Sequence, residues 1–116
     1  MKSILIGLAL VGGVLILRAL FLRSRRISKE DLMQLIQHGA QIVDVRTPQE
    51  FATAHAKGSR NIPLDQLMAR AAELDRTHPV VVCCASGARS SMAKSILERA
   101  GFTSVHNAGP WQAVAN

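Results

Sequence analysis

The strongest constraint on the fold is an unbroken apolar run at residues 80–83, Val-Val-Val-Cys, which is followed at once by a loop of small residues. β-Branched residues without polar interruption are typical of a strand that is buried on both faces of a sheet. Strands of this kind occur in parallel sheets whose two faces are covered by helices. The run therefore predicts the central strand of an α/β domain.

The chain from residue 27 onward alternates between helix and strand patterns. Apolar periodicity and capping residues predict helices within residues 28–39, 47–57, 64–74 and 90–100. Short apolar runs predict strands at residues 41–45, 60–62, 80–83 and 104–106. The alternation predicts a small three-layer α/β fold, with a central, mostly parallel sheet and helices on both faces.

The clearest helix start lies at Thr47. Its hydroxyl is suited to cap the helix, Pro48 fits the first helical position, and Glu50 can return the bond that completes a capping box. The pattern assigns Glu50 no role beyond this cap.

Residues 1–22 are almost entirely apolar and predict one N-terminal transmembrane helix. The charge-free stretch at residues 4–17 is short for a span of roughly 17–25 residues, but the run extends to residue 22 when Arg18 places its charge at the interface. A cleaved signal peptide is the alternative, and the absence of an A-x-A cleavage site disfavours it. We therefore expect an anchor at residues 1–22, a basic linker at residues 23–26 and one soluble domain at residues 27–116.

Basic residues are concentrated around this segment. Lys2, Arg18, Arg23, Arg25 and Arg26 account for five of the six net positive charges, and the rest of the chain is nearly balanced. Because four of the five follow the charge-free stretch, the positive-inside rule predicts a single-pass protein of a bacterial inner membrane with its soluble domain in the cytoplasm. The soluble part has no basic cluster and few aromatic residues, so nucleic acid is not expected as a partner.

The candidate chemistry lies at the second of two adjacent cysteines, positions 83 and 84. Cys84 follows the buried strand and precedes a helix, where open α/β sheets place their sites. Gly87 is free to adopt a positive φ, so the loop can direct successive N–H groups, together with the helix N-terminus, at an anion. Such surroundings favour the nucleophilic thiolate. The predicted site consists of Cys84 as nucleophile and, as its anion cradle, Ala85, Ser86, Gly87, Ala88 and Arg89.

Other polar residues have less specific interpretations. Asp44 and Arg46 end a predicted strand, and they could reach the rim of the site or form a structural ion pair. Ser86 and Ser90 could cap the loop and the helix or contact the substrate. The histidines at positions 38, 55, 78 and 106 lack metal-ligand spacing, so neither a metal nor a cofactor is expected.

Residues 80–90 resemble the active-site segment of rhodanese-like domains, in which a hydrophobic strand is followed by C-x-x-G-x-R-S. The earlier motif of that family, D-x-R…E-[FY]…G-H-I…A…N-I-P, is matched by Asp44, Arg46, Glu50, Phe51, His55, Asn61, Ile62 and Pro63. Gly101-Phe102 and residues 108–111 fall where its G-[FY] and G-G…W elements lie. The resemblance covers about residues 27–116 and is to the single-domain, membrane-anchored thiosulfate sulfurtransferase type.

The resemblance implies a sulfurtransferase that needs no cofactor. Cys84 would take a sulfane sulfur as a persulfide from a donor such as thiosulfate and pass it to cyanide or a thiol. Residues 85–89 would supply the cradle, with Arg46 at its rim, while Cys83 would be structural. The implied partners are a small sulfur-containing anion or persulfide donor, the membrane, and a protein that donates or accepts sulfur.

Two other functions compete with this interpretation. Phosphatases and arsenate reductases of this fold have five residues between the loop cysteine and arginine, whereas four residues separate Cys84 from Arg89. The shorter loop favours a single sulfur atom over a tetrahedral oxyanion. The second alternative is a non-catalytic or slow membrane-bound persulfide carrier or scaffold. Ala85 stands where many relatives carry a larger or basic residue, which leaves substrate preference open.

Overall fold

The computed structural model of the chain describes residues 27–115, in which helices and strands alternate. The helices are α1 (Lys29–Gln37), α2 (Pro48–Thr53), α3 (Leu64–Arg70) and α4 (Ala88–Arg99). The strands are β1 (Gln41–Asp44), β2 (Arg60–Asn61), β3 (Val80–Cys84) and β4 (Val105–Pro110). Short 3₁₀ helices at Ala71–Glu73 and Trp111–Val114 follow α3 and β4.

The four strands form one parallel sheet in the order β2-β1-β3-β4. The strand predicted to be central, β3, lies between β1 and β4, and all five of its residues are buried. Val82 pairs with Asn107 and Cys83 with Gly109, so Ala108 is an extra residue that forms a β-bulge in β4. The predicted parallel α/β fold is confirmed.

Side chains of β3 point alternately to two hydrophobic cores. Val80, Val82 and Cys84 pack with residues of α3 and α4, including Leu67 and Leu97. On the other face, a second core contains Val81, Cys83, Leu32, Ile42, Ala56, Ala108 and Val114. Because neighbouring strand residues alternate between faces, the two adjacent cysteines lie in different cores.

The element boundaries differ from the sequence prediction at the end of β3. The strand continues through Cys84 and α4 begins at Ala88, so the loop is shorter than predicted. β4 extends to Pro110, beyond the predicted end at residue 106. The reason is pairing between strands, because Cys84 has a partner in Pro110, and a local hydrophobic pattern does not report such pairing.

The first described residue is held by the edge strand. The N–H of Ile27 donates a hydrogen bond to the carbonyl of Asn107 in β4, at 3.1 Å. Within residues 27–115, none of the helices has the length and apolar character needed to cross a bilayer. The predicted anchor at residues 1–22 and linker at residues 23–26 lie outside the described residues.

Candidate active site

Cys84 is the last residue of β3, and its side chain is fully buried beneath the loop that leads into α4. Gly87 closes this loop with φ of +107° and precedes the first residue of α4. A side chain would be strained in that left-handed conformation, which glycine adopts readily. This conformation directs the N–H of Gly87 towards the Cys84 sulfur. The positive φ predicted for Gly87 is therefore present.

The Cys84 sulfur lies within a set of hydrogen-bond donors. The N–H groups of Gly87 and Ser90 are 2.9 and 3.4 Å from Sγ, and the Ser90 hydroxyl oxygen is 3.3 Å from it. The N–H of Ser86 also contributes. The N-terminal end of α4 adds its partial positive charge at the same place.

These donors determine the acidity of the Cys84 thiol. Burial acts to raise its pKa, but the hydrogen bonds from Ser90, Gly87 and Ser86 outweigh burial and hold the pKa below the ordinary value for a cysteine. A larger fraction of Cys84 is therefore thiolate, the form that attacks electrophilic sulfur.

The neighbouring cysteine has the opposite character. Cys83 is fully buried in the other core, and burial together with the negative charge of Asp44 raises its pKa to about 12. Its thiol therefore stays protonated at neutral pH. This environment agrees with the structural role expected for Cys83.

The loop after Cys84 consists of residues with small side chains. Ala85, Ser86 and Ala88 are exposed, whereas Gly87 is buried. Of the predicted cradle residues, Ser86 and Gly87 direct their N–H groups at the Cys84 sulfur, and Ser90 adds its own N–H and hydroxyl. Contact between these residues and a substrate stays a prediction. Within residues 27–115, no three His, Cys, Asp or Glu side chains are grouped so as to hold a metal ion.

Arg89 is engaged by an acid from a different element. Its two terminal nitrogens lie 2.7 and 3.0 Å from the two carboxylate oxygens of Glu50. The Glu50 carboxylate also accepts from the N–H of Thr47, in the capping box predicted from sequence and present at the start of α2. The hydrogen bonds from Arg89 and then Thr47 lower the pKa of Glu50 to about 2. No sequence pattern indicates the ion pair between Glu50 and Arg89, because these residues are 39 positions apart.

The structure places Arg46 in a buried brace. Its guanidinium contacts both oxygens of the fully buried Asp44, at 2.7–3.0 Å, and donates to the carbonyl of Ala54 at 2.7 Å. It also lies over the ring of Trp111, 4.9 Å from the centroid. Of the two roles predicted for Asp44 and Arg46, the structure shows the ion pair. Contact between Arg46 and a persulfide stays a prediction.

Asn107 is a site residue that the sequence analysis did not identify. It is 5% exposed, and its Oδ1 lies 2.7 Å from the hydroxyl of Ser90, which is fully buried. The same oxygen accepts from the N–H of Gly109 at 2.9 Å. A lone amide side chain just before the Ala108-Gly109 bulge was the available signal, but the strand was predicted to end one residue earlier.

The chain is similar to known proteins in both sequence and fold. The sequence model of the rhodanese-like domain family matches residues 28–113 of this chain. Thiosulfate sulfurtransferase GlpE of Pseudomonas aeruginosa is 39% identical over 83 residues, which cover 72% of this chain and 76% of that protein. Thiosulfate sulfurtransferase PspE of Escherichia coli is 39% identical over 75 residues, which cover 63% of this chain and 72% of that protein.

Solved structures agree with the sequence relatives. A rhodanese with anions from E. coli superposes with a TM-score of 0.62 and 37% identity, over 66% of this chain and 93% of that one. The human single-domain sulfurtransferase gives a TM-score of 0.64 and 26% identity, over 76% of this chain and 92% of that one. Because the family model matches nearly all of the described domain, the chain belongs to the rhodanese-like domain family.

Proposed function

We propose that this protein is a sulfurtransferase in which Cys84 carries a sulfane sulfur, as a persulfide, from a donor such as thiosulfate to cyanide or a thiol. The observation that carries the proposal is the position of the Cys84 sulfur within hydrogen bonds from Ser86, Gly87 and Ser90. The names of the sulfurtransferase relatives support the reaction class.

The reaction requires two nucleophilic displacements. The Cys84 thiolate attacks the outer sulfur of thiosulfate, the bond between the two thiosulfate sulfurs breaks, and sulfite leaves with the electron pair. The negative charge then resides on the terminal sulfur of the Cys84 persulfide. Cyanide attacks that terminal sulfur, the persulfide bond breaks, and its electron pair returns to Sγ as thiocyanate departs. Neither step needs an external oxidant or reductant.

Electrostatics at the entrance bear on donor preference. The positive charge of Arg89 is balanced by Glu50, so a doubly charged donor depends mainly on backbone N–H groups and on the end of α4. A singly charged persulfide has less need of a free cation. The protein is therefore expected to accept persulfide donors as well as thiosulfate.

Membrane attachment is a separate part of the proposal. The apolar run through residue 22 and the arginines that follow its charge-free stretch support a single-pass anchor with the soluble domain in the cytoplasm. A reducing compartment keeps Cys84 available as a thiolate. Sulfur donors or acceptors at the membrane surface, proteins among them, would then be within reach.

Intact-mass spectrometry tests the persulfide directly. Wild-type protein treated with thiosulfate should gain about 32 Da, the mass of one sulfur atom, and should lose it again on addition of cyanide. The Cys84→Ser variant should gain nothing, because a hydroxyl cannot form a persulfide, whereas Cys83→Ser should still load. Sulfur located on Cys83 would refute the assignment of the nucleophile.

Turnover distinguishes an enzyme from a carrier. Wild-type protein should produce many equivalents of thiocyanate from thiosulfate and cyanide. If the protein loads one sulfur atom but releases it only to a particular protein partner, the carrier alternative is correct. If it loads no sulfur from thiosulfate or from a low-molecular-weight persulfide, the scaffold alternative is correct.

A further inference from the structure

The Ser90 hydroxyl has one proton and several acceptors within reach. Its oxygen lies 2.7 Å from Oδ1 of Asn107, 3.1 Å from the carbonyl oxygen of Gly87 and 3.3 Å from Sγ of Cys84. All four residues are buried, so water does not readily substitute for a missing partner. The hydroxyl can donate to only one acceptor at a time.

The side chain of Asn107 is fixed in orientation. Its Oδ1 accepts from the N–H of Gly109 at 2.9 Å, which requires the oxygen rather than the amide nitrogen on that side. The amide nitrogen faces the carbonyl of Gly87 at 3.5 Å. Asn107 therefore presents a stationary acceptor to Ser90, at the shortest of the distances from that hydroxyl.

We propose that Asn107 is a positioning residue whose Oδ1 accepts the hydrogen bond of the Ser90 hydroxyl when Sγ is uncharged and releases the hydroxyl to donate to Sγ when Cys84 is a thiolate. The inference rests on the proposed persulfide chemistry of Cys84. In the thiolate the charge is on Sγ, and Ser90 donates to it. In the persulfide the charge has moved to the terminal sulfur, and Ser90 donates to Asn107. The change is a rotation about the Ser90 C–O bond, and no proton leaves the protein.

Charged groups around the loop are already balanced. Arg89 is paired with Glu50, and Arg46 with Asp44. Cys83 points to the other core, and His106, the neighbour of Asn107, lies beside α1. Among residues 27–115, the hydrogen bonds to Sγ come from the Cys84 loop and Ser90. The acceptor to which the Ser90 hydroxyl donates therefore affects the stability of the Cys84 thiolate.

The proposal predicts opposite effects for two substitutions. Asn107→Leu removes the competing acceptor, so Ser90 donates more fully to the thiolate and the pKa of Cys84 should fall by about half to one pH unit, the effect of one hydrogen bond. Ser90→Ala removes the donor, so the pKa should rise. In the Ser90→Ala background, Asn107→Leu should change nothing, because Asn107 acts through Ser90.

The measurement is the pH dependence of carboxamidomethylation of Cys84 in the full-length protein, located by peptide mass spectrometry. A merely structural role for Asn107 would loosen the cradle, raise the pKa of Cys84 and add to the effect of Ser90→Ala. A raised pKa of Cys84 in Asn107→Leu, or an effect that adds to that of Ser90→Ala, would overturn the proposal. If Asn107→Leu does not fold, Asn107→Asp keeps the side-chain shape, and its rise in thiol pKa should be smaller when Ser90 is alanine. An equal rise in both backgrounds would overturn the proposal.

A second readout separates this inference from the proposed function. At a fixed ratio of thiosulfate to sulfite, Asn107→Leu should lower the sulfur-loaded fraction of protein, because the thiolate is stabilised relative to the persulfide. An unchanged or higher fraction would contradict the proposed alternation. If wild type takes up no sulfur at all, the proposed function fails, while the alkylation profiles still decide whether Asn107 controls the Ser90 hydroxyl.

Discussion

At the level of single residues, position along β3 determines what each of the two adjacent thiols can do. Cys84 ends the strand, where the loop supplies donors to its sulfur and lowers the pKa of the thiol against the effect of burial. Cys83 lies one residue earlier, within the opposite core, where burial raises its pKa to about 12. The same side chain is thus favoured as a thiolate at one position and is a buried packing group at the next.

Substitution of Cys83 should separate stability from activity. Cys83→Ser places a hydroxyl in a buried strand, which should lower the free energy of unfolding by about 1–3 kcal/mol, the cost of an unsatisfied polar group. Urea denaturation measures that change. Cys83→Ala is the matched control, because it shortens the side chain without adding a polar atom.

Sulfur transfer by both Cys83 variants should remain close to the wild-type rate at a temperature where all three proteins are folded. Loss of transfer in both variants, with the fold intact, would mean that Cys83 takes part in the chemistry.

At the level of elements, one carboxylate joins the start of α2 to the start of α4. Glu50 completes the capping box with Thr47 and forms a two-bond ion pair with Arg89. The capping box was predictable from four consecutive residues, since its partners are neighbours. The ion pair was not predictable, because it depends on how α2 packs beside the loop after β3.

Releasing Arg89 should favour doubly charged donors. Glu50→Gln keeps a residue that suits the capping box but removes the balancing charge, so kcat/KM for thiosulfate should rise several-fold and become more sensitive to salt. The pKa of Glu50 is about 2, so the wild-type carboxylate is charged at mildly acidic as well as neutral pH. The difference between the two proteins should therefore persist from neutral pH to about pH 4.

The matched control for this substitution is Glu73→Gln. Glu73 forms a comparable exposed ion pair with Arg70. This pair joins the end of α3 to the 3₁₀ helix that follows it, and it involves no residue of the cysteine loop. That variant should leave the kinetics with thiosulfate unchanged. A decrease in kcat/KM in Glu50→Gln would instead show that the fixed position of Arg89 is what the donor requires.

At the level of the whole molecule, the sheet order brings separate parts of the chain to one edge. The carboxyl ends of β1 and β3 are adjacent, so the Asp44–Arg46 brace, α2 and the Cys84 loop meet there. The alternation of helix and strand patterns predicted the fold class, and the apolar run of β3 with the small loop after it predicted the candidate nucleophile. Asn107 was missed because its role depends on pairing between β3 and β4, which brings together residues 17 positions apart.

Protease accessibility tests the membrane topology expected from residues 1–26. Protease added to sealed spheroplasts should leave the soluble domain intact, because the arginines near the apolar run are expected to hold that side in the cytoplasm. The same protease should degrade the domain once the spheroplasts are lysed. Degradation in sealed spheroplasts would reverse the orientation, and a mature protein that begins near residue 20 would establish a cleaved signal peptide instead.

If the proposed membrane anchor is correct, the hydrogen bond between Ile27 and Asn107 limits the distance between the Cys84 site and the bilayer. With the anchor proposed at residues 1–22, only the four residues 23–26 separate it from Ile27, and an extended chain of that length covers at most about 14 Å. Ile27 is attached to β4 at the residue whose side chain contacts Ser90. Small anions would reach such a site from any direction, whereas a large soluble protein would have to approach along the membrane plane. The short tether would thus restrict the directions from which bulky partners can approach the site.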